Sequence, residues 1–208
     1  VEIDAGKADA AQSRLGTYLA ASSCDGGMGF VPGAADAAPA TFDLGLSLFA
    51  IAESFGKPFG TYVAPSVADA GPGANAAGNA ERKAHVDCAR SILDQALSGP
   101  AGSLAPDLEA RARYLRGNLA YLDGRWDDAV GDYDRALAVV PGLSGDAGDG
   151  VGRDAAWNRA LALRNKEEEE KQDAGSDAGK DGGDDAGDDA GKDGGDDAGK
   201  DGGDDAGK

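Results

Sequence analysis

The segment from Ala112 to Pro141 constrains the fold more than any other part of the chain, because small and bulky residues alternate in it at helical spacing. Gly117 lies among leucines and tyrosines in the first half, and the second half places Tyr133 four residues after Ala129. Closely packed helices need small residues where their backbones approach and large ones where they diverge. With Gly124 as a helix stop, the pattern predicts two antiparallel helices joined by a tight turn.

The same pattern occurs on both sides of this segment. Ala89 and Leu93 precede Ala129 and Tyr133 by 40 residues, which predicts another second helix. Residues 42–49 have the first-helix pattern, so we predict a divergent pair in which residues 57–79 replace the short turn. Residues 154–163 also follow the first-helix pattern, with Trp157 and Ala160 at the positions of Tyr114 and Gly117. Without a second helix after it, this element is expected to cap the array.

The spacing A-x3-aromatic-x2-A-L followed by proline in residues 129–141 closely resembles a tetratricopeptide repeat, or TPR. Arg113 and Arg116 depart from the family, which often has tryptophan and leucine there. The resemblance implies an α-solenoid whose first helices line a groove for a partner segment. The resemblance implies groove residues on two helices. They are Arg111, Tyr114, Asn118 and Tyr121 on the helix predicted over 106–123, and Trp157 and Arg164 on the capping helix.

This residue set is aromatic and basic, so it suits a partner segment with a carboxylate and an apolar anchor. In the TPR subgroup that clamps a C-terminal carboxylate, only Asn118 has a good counterpart, since Tyr114 stands where that clamp has a lysine. Packing between repeats is the alternative role for Tyr121 and Trp157. Arg111, Arg113, Arg116 and Arg125 cluster around one helix pair, which predicts a locally basic face.

The whole chain is predicted to be all-α. No segment alternates apolar and polar residues over the length of a strand, and Tyr62-Val63 is the only weak candidate for one. Three domains are expected: an N-terminal capping helix and loop (1–40), a TPR-like helical domain (41–165, best repeat 108–141) and a charged low-complexity disordered tail (166–208). The helices are predicted over residues 9–23, 41–55, 80–98, 106–123 and 126–140, and from 154 onward.

Residues 173–208 account for half of the formal net charge of −18. Residues 173–208 contain 12 Gly, 13 Asp, 6 Ala, 4 Lys and one Ser. With no apolar residue larger than alanine, the segment buries too little surface to offset the entropy of ordering, so we predict disorder. A solubilising spacer is the favoured role, and binding of a basic partner is the alternative. The acidic balance disfavours nucleic-acid binding, and no apolar run is long enough to span a membrane.

Catalytic chemistry would depend on His85, the only histidine. His85 lies three residues before Cys88 on a predicted helix, which is half of a metal site at most. A Cys24–Cys88 disulfide is possible if the protein is exported. No phosphate-binding loop or calcium loop is present. We therefore expect no enzyme, cofactor or metal site, and keep a His85/Cys88 metal site as the less favoured alternative.

The function that these observations favour is a non-catalytic adaptor or assembly factor that binds another protein in a TPR groove. A helical array with a charged tail also resembles the TPR component of bacterial aerotolerance-type operons, whose partners are membrane proteins. That resemblance implies a location in the cell envelope or periplasm, with the cytoplasm as the alternative. A structural subunit of a larger envelope complex remains the second possibility.

Overall fold

The computed structural model describes residues 6–19, 37–55, 59, 74–100, 102–142 and 150–177, and within these ranges it describes the side chains except those of 74–77 and 173–177. The described residues form helices joined by turns and contain no strand, which confirms the predicted all-α class for them. Tyr62-Val63 lies outside these ranges. The helices are α1 (Ala8–Tyr18), α2 (Ala38–Ser54), α3 (Ala74–Leu97), α4 (Pro106–Leu122), α5 (Trp126–Val139) and α6 (Val151–Asp177).

α3 and α6 extend furthest beyond their predicted limits, and α2 also begins earlier, at Ala38 rather than at 41. α3 begins at Ala74 rather than at 80, so residues 74–79 do not belong to the predicted loop. α6 continues to Asp177, so residues 166–177 are helical where a disordered tail was predicted. Lysine, glutamate, glutamine and alanine favour helix even without an apolar face, which explains the extension. Residues 178–208 lie outside the described part of the chain.

Local sequence accounts for the helix boundaries around α4 and α5. Pro106 opens α4 at a position where its missing N–H is not needed. Gly124 has a φ of +71° in the turn between the two helices, a conformation that costs glycine little. Pro141 follows the last turn of α5 and cannot extend it.

A first core is formed by α2, α3 and α4. Its fully buried side chains include Leu48 of α2, Ile92 and Leu93 of α3, and Leu119 of α4. α1 packs on α2, and Leu15 contributes to this core from the edge. The α3 helix therefore packs against both α2 and α4.

The second core is formed by α4, α5 and α6 around Tyr133, which is fully buried. Most of its other buried members are alanines, including Ala120, Ala129 and Ala162. Because alanine lets helix backbones approach closely, one tyrosine ring fills much of the space between three helices.

The chain divides into two units, Val1–Glu167 and Glu168–Lys208. The first contains α1 to α5 and the part of α6 that ends at Glu167, and the second contains the rest of α6. None of the helices in the described ranges combines the length and hydrophobicity needed to cross a membrane.

Candidate functional site

Two tyrosine–asparagine pairs align α6 with α4. Asn158 Nδ2 donates to the Tyr114 hydroxyl at 3.0 Å, and Asn165 Nδ2 donates to the Tyr121 hydroxyl at 2.8 Å. Both pairs span the same sequence separation, 44 residues. Since the partners advance by seven residues, or two turns, on each helix, α4 and α6 run parallel and in register.

Two ion pairs hold α6 against α5 with the opposite polarity. Arg159 Nε donates to Asp134 Oδ1 at 2.6 Å, and Lys166 Nζ donates to Asp127 Oδ1. The lysine comes later on α6 than the arginine, whereas its partner comes earlier on α5. α6 therefore runs antiparallel to α5 and lies against both helices of the preceding pair.

A buried hydrogen-bond node lies where α4, α5 and α6 meet. Asn118 Oδ1 accepts from the Tyr133 hydroxyl at 2.9 Å and from Asn158 Nδ2 at 3.1 Å. Both asparagines are almost fully buried. Burial raises the pKa of the Tyr133 phenol well above its usual value and also raises the pKa of Tyr114. The neutral phenols act here as hydrogen-bonding members of a packed interior.

An arginine–aspartate ion pair occurs both where α4 packs on α3 and where α6 packs on α5. Arg116 of α4 lies 2.8 Å from Asp94 of α3, and Arg159 of α6 lies 2.6 Å from Asp134 of α5. The arginines are 43 residues apart and the aspartates are 40 apart. The 43-residue offset also relates buried positions of α4 to buried positions of α6, namely Ala112 to Ala155, Leu115 to Asn158 and Leu119 to Ala162. α6 therefore packs on α5 as α4 packs on α3.

Within each helix pair, a glycine of the first helix receives a large side chain of the second. A Cβ atom at Gly45 would lie 3.0 Å from Leu93 Cδ2, and one at Gly117 would lie 2.5 Å from Tyr133 Cε1. The 43-residue offset places Ala160 of α6 at the position of Gly117, and Ala160 is exposed. Within the described residues, no large side chain covers Ala160 in the way that Leu93 covers Gly45 and Tyr133 covers Gly117.

The exposed side of α6 lies opposite its buried side. We call it the Ala160 face. Trp157 is its largest apolar side chain and is 68% exposed. The residues of the face are Arg153, Ala156, Trp157, Ala160, Arg164 and Glu167, all of which are exposed.

Two of the six predicted groove residues lie on this face, and the other four are buried or half-buried on α4. Asn118 is buried in the hydrogen-bond node, and Tyr114 is half-buried with its hydroxyl bonded to α6. Tyr121 is also half-buried, and its ring lies 4.8 Å from Phe59 and 5.1 Å from Trp126 between centroids. The remaining predicted residues are Arg111, which is half-buried on α4, and Trp157 and Arg164, which are exposed on α6.

The predicted basic face is largely neutralised by carboxylates. Arg113 pairs with Glu109 at 2.7 Å, and Arg125 pairs with Asp123 at 2.9 Å. Arg116 bridges Asp94 and the buried Asp132, which lies 3.3 Å from it. Composition alone does not reveal this pairing, because the acidic partners come from three helices and from the turn after α4.

Asp132 is a buried group that the sequence analysis missed. Its side chain is 1% exposed and it pairs with Arg135 at 3.0 Å as well as with Arg116. Burial raises the pKa of Asp132, and the nearby arginines oppose that rise. The signal that would have found it is Arg116 itself, since an arginine at an apolar repeat position requires a counter-ion nearby.

His85 and Cys88 do not form a common site. His85 Nδ1 lies 2.8 Å from the Glu81 carbonyl oxygen, and its ring stacks on Phe55 at 5.5 Å. Cys88 is buried and disulfide-bonded, so its sulfur is not a thiolate ligand in this state. Cys24, the other cysteine, lies outside the described residues. In the part of the chain that the structure describes, no three His, Cys, Asp or Glu residues converge as metal ligands would.

Comparison of the chain with protein-family models, curated proteins and solved structures gave no match. The functional interpretation therefore depends on the geometry of the chain itself.

Proposed function

We propose that this protein is a non-catalytic adaptor of TPR-like architecture that binds another polypeptide on the surface of its first helices. The observation that carries the proposal is the exposed Trp157 on α6. Tryptophan is enriched among the residues that dominate binding energy, so an exposed tryptophan is a candidate anchor for a partner. The repeated Asp94–Arg116 and Asp134–Arg159 junctions support the repeat architecture.

The chemistry of the surface suggests what a partner segment presents. Trp157 offers an apolar ring, and Arg164 lies two turns along the same helix. Arg111 lies on the adjacent α4 and is half-buried. A segment with an apolar side chain and a carboxylate matches this combination. We assign Asn118, Tyr114 and Tyr121 a supporting role, since their polar atoms hold the helices that carry the surface.

A displayed peptide library tests this function. The full chain is used to select peptides, whose affinities are then measured by fluorescence anisotropy. We expect sequences with an apolar residue and a carboxylate to be enriched. Trp157→Ala should weaken their binding about tenfold or more, whereas Tyr18→Ala is the matched control because Tyr18 is a comparably exposed aromatic on α1, 73% exposed. Equal effects of the two substitutions, or no enrichment, would contradict the proposal.

We also propose a location in the cell envelope, which the disulfide at Cys88 supports because disulfides persist in oxidising compartments. Maleimide labelling of protein denatured directly from cells tests this. Labelling of Cys88 only after reduction is expected, and labelling before reduction would contradict it.

A further inference from the structure

We propose that the polypeptide bound by the Ala160 face is α6 of a second copy of this chain, so that the protein forms a two-fold symmetric dimer. This inference rests on the proposed function, because it names the partner for that surface. An antiparallel pair of α6 helices, with the two Ala160 residues adjacent, is the arrangement that we infer. Such an interface is isologous, so each residue contact occurs twice.

Charge complementarity selects the second copy as the occupant. Arg153 lies seven residues before Ala160 and Glu167 lies seven residues after it. Seven residues are close to two helical turns, so both side chains point within about 20° of the direction of Ala160. In the antiparallel pair, Arg153 of one copy comes level with Glu167 of the other, at both ends of the interface.

Arg153 is well placed for such a contact. Its side chain is 81% exposed, and its ion pair with the neighbouring Asp154, at 3.4 Å, is open to solvent. A guanidinium has five N–H donors, so one carboxylate does not exhaust it.

The apolar residues of the face are also self-complementary. Trp157 lies three residues before Ala160 and Arg164 lies four residues after it, on the same side of the helix. Two-fold symmetry therefore brings Trp157 of one copy level with Arg164 of the other, to within about one residue rise. An arginine over an indole ring is a favourable cation–π contact. Ala156 and Ala160 are small enough to let the two helices approach closely.

The chain's own tail is a poorer occupant. Residues 178–208 contain no apolar side chain larger than alanine, and their 11 aspartates and 4 lysines give them a net negative charge. Such a segment has nothing to pack against Trp157.

Sedimentation velocity of the full chain tests the dimer. We expect a mass of twice 20.7 kDa for the wild type. Arg153→Glu and Glu167→Arg should each raise the dissociation constant about tenfold or more, because each turns two attractive contacts into repulsive ones. Asp9→Arg on α1 is the matched control and should leave the mass unchanged, since Asp9 is also an exposed acidic residue and α1 packs on α2.

Mixing the two single variants provides the decisive rescue. In a mixed dimer, the introduced glutamate meets the introduced arginine at one end, and the native Arg153 and Glu167 meet at the other. The mixture should therefore dimerise more tightly than either variant alone. The double variant Arg153→Glu/Glu167→Arg should dimerise as well.

Three outcomes would overturn the inference: a monomeric wild type at every concentration, a dimer insensitive to both reversals, and failure of the mixture to associate. If the wild type is monomeric but binds peptides through Trp157, the proposed function is supported and the dimer is not. A dimer that follows the reversals, combined with no selected peptide, supports self-association and removes the broader adaptor function.

Discussion

The ring of Tyr133 packs so closely on Gly117 that a Cβ atom added at the glycine would lie 2.5 Å from Cε1. This contact sets the distance between α4 and α5. The hydroxyl of the same tyrosine donates a hydrogen bond to Oδ1 of Asn118, the residue that follows Gly117 on α4. The glycine, the ring and the amide act as one packing unit, and the stability of the second core depends on all three.

Gly117→Ala is expected to destabilise the protein. Glycine to alanine inside a helix ordinarily stabilises by about 1 kcal/mol, but here the methyl group collides with a fully buried ring. We expect a net loss of about 1–3 kcal/mol in the free energy of unfolding, measured by urea denaturation. Gly131→Ala on α5 is the control, because its added Cβ would meet only the flexible end of Arg135, at 3.7 Å. Gly131→Ala should stabilise, and a stabilising Gly117→Ala would refute the account.

Asn118→Ala should cost more stability than Asn165→Ala. The first substitution removes an acceptor that serves two buried donors, Tyr133 and Asn158. Leaving buried polar groups without partners costs about 1–3 kcal/mol each. Asn165 makes one part-buried bond to Tyr121, so its loss should cost about 1 kcal/mol. Thermal and urea unfolding of both variants would measure the difference, and equal losses would show that the node contributes little.

Alkaline pH should weaken the native state through Tyr133. Burial raises its pKa in the folded protein, so the folded state holds the phenolic proton where the unfolded state has lost it. The contribution of this group to stability is therefore present below about pH 10, the unfolded value, and falls as pH rises beyond it. Tyr133→Phe should be less stable than the wild type at neutral pH and should lose less stability at alkaline pH. Parallel pH dependences of the two proteins would contradict this.

Acidic pH tests Asp132. Burial raises its pKa in the folded state, so its contribution to stability is present below the unfolded value, about pH 4, and falls as pH rises through the folded value. Asp132→Asn cannot titrate, so its stability relative to the wild type should improve as pH rises above about 4, the unfolded value. Asp107→Asn on the exposed first turn of α4 is the control. The same pH trend in both variants would assign the effect to general charge rather than to the buried carboxyl.

Helix positions and helix pairing were accessible from the residue pattern because they depend on local spacing. Gly117, Ala129 and Tyr133 follow the 3.6-residue period, and Gly124 breaks it, so the α4–α5 hairpin could be predicted with bounds close to those observed. The start of α3 and the end of α6 were missed, since helix propensity extends an element where no apolar pattern marks it.

The assignment of side chains to interior or surface was less predictable. Asn118 and Trp157 were both predicted to face a groove, yet one is buried and the other is 68% exposed. The difference arises from Asn158, a residue 40 positions away on α6 whose amide meets Asn118. A single sequence does not reveal such a pair, because nothing local to either residue refers to the other.

The order of small and large residues along the chain determined that it forms paired helices, since close packing allows few side chains where two backbones meet. The tertiary structure alone decided which charges neutralise each other and which apolar side chain stays in water. Ion pairs such as Arg116–Asp94 join residues from separate helices, and exposure at Trp157 depends on what packs beside α6. Both are properties of the assembled helices, because distance in space, rather than distance along the chain, sets their energy.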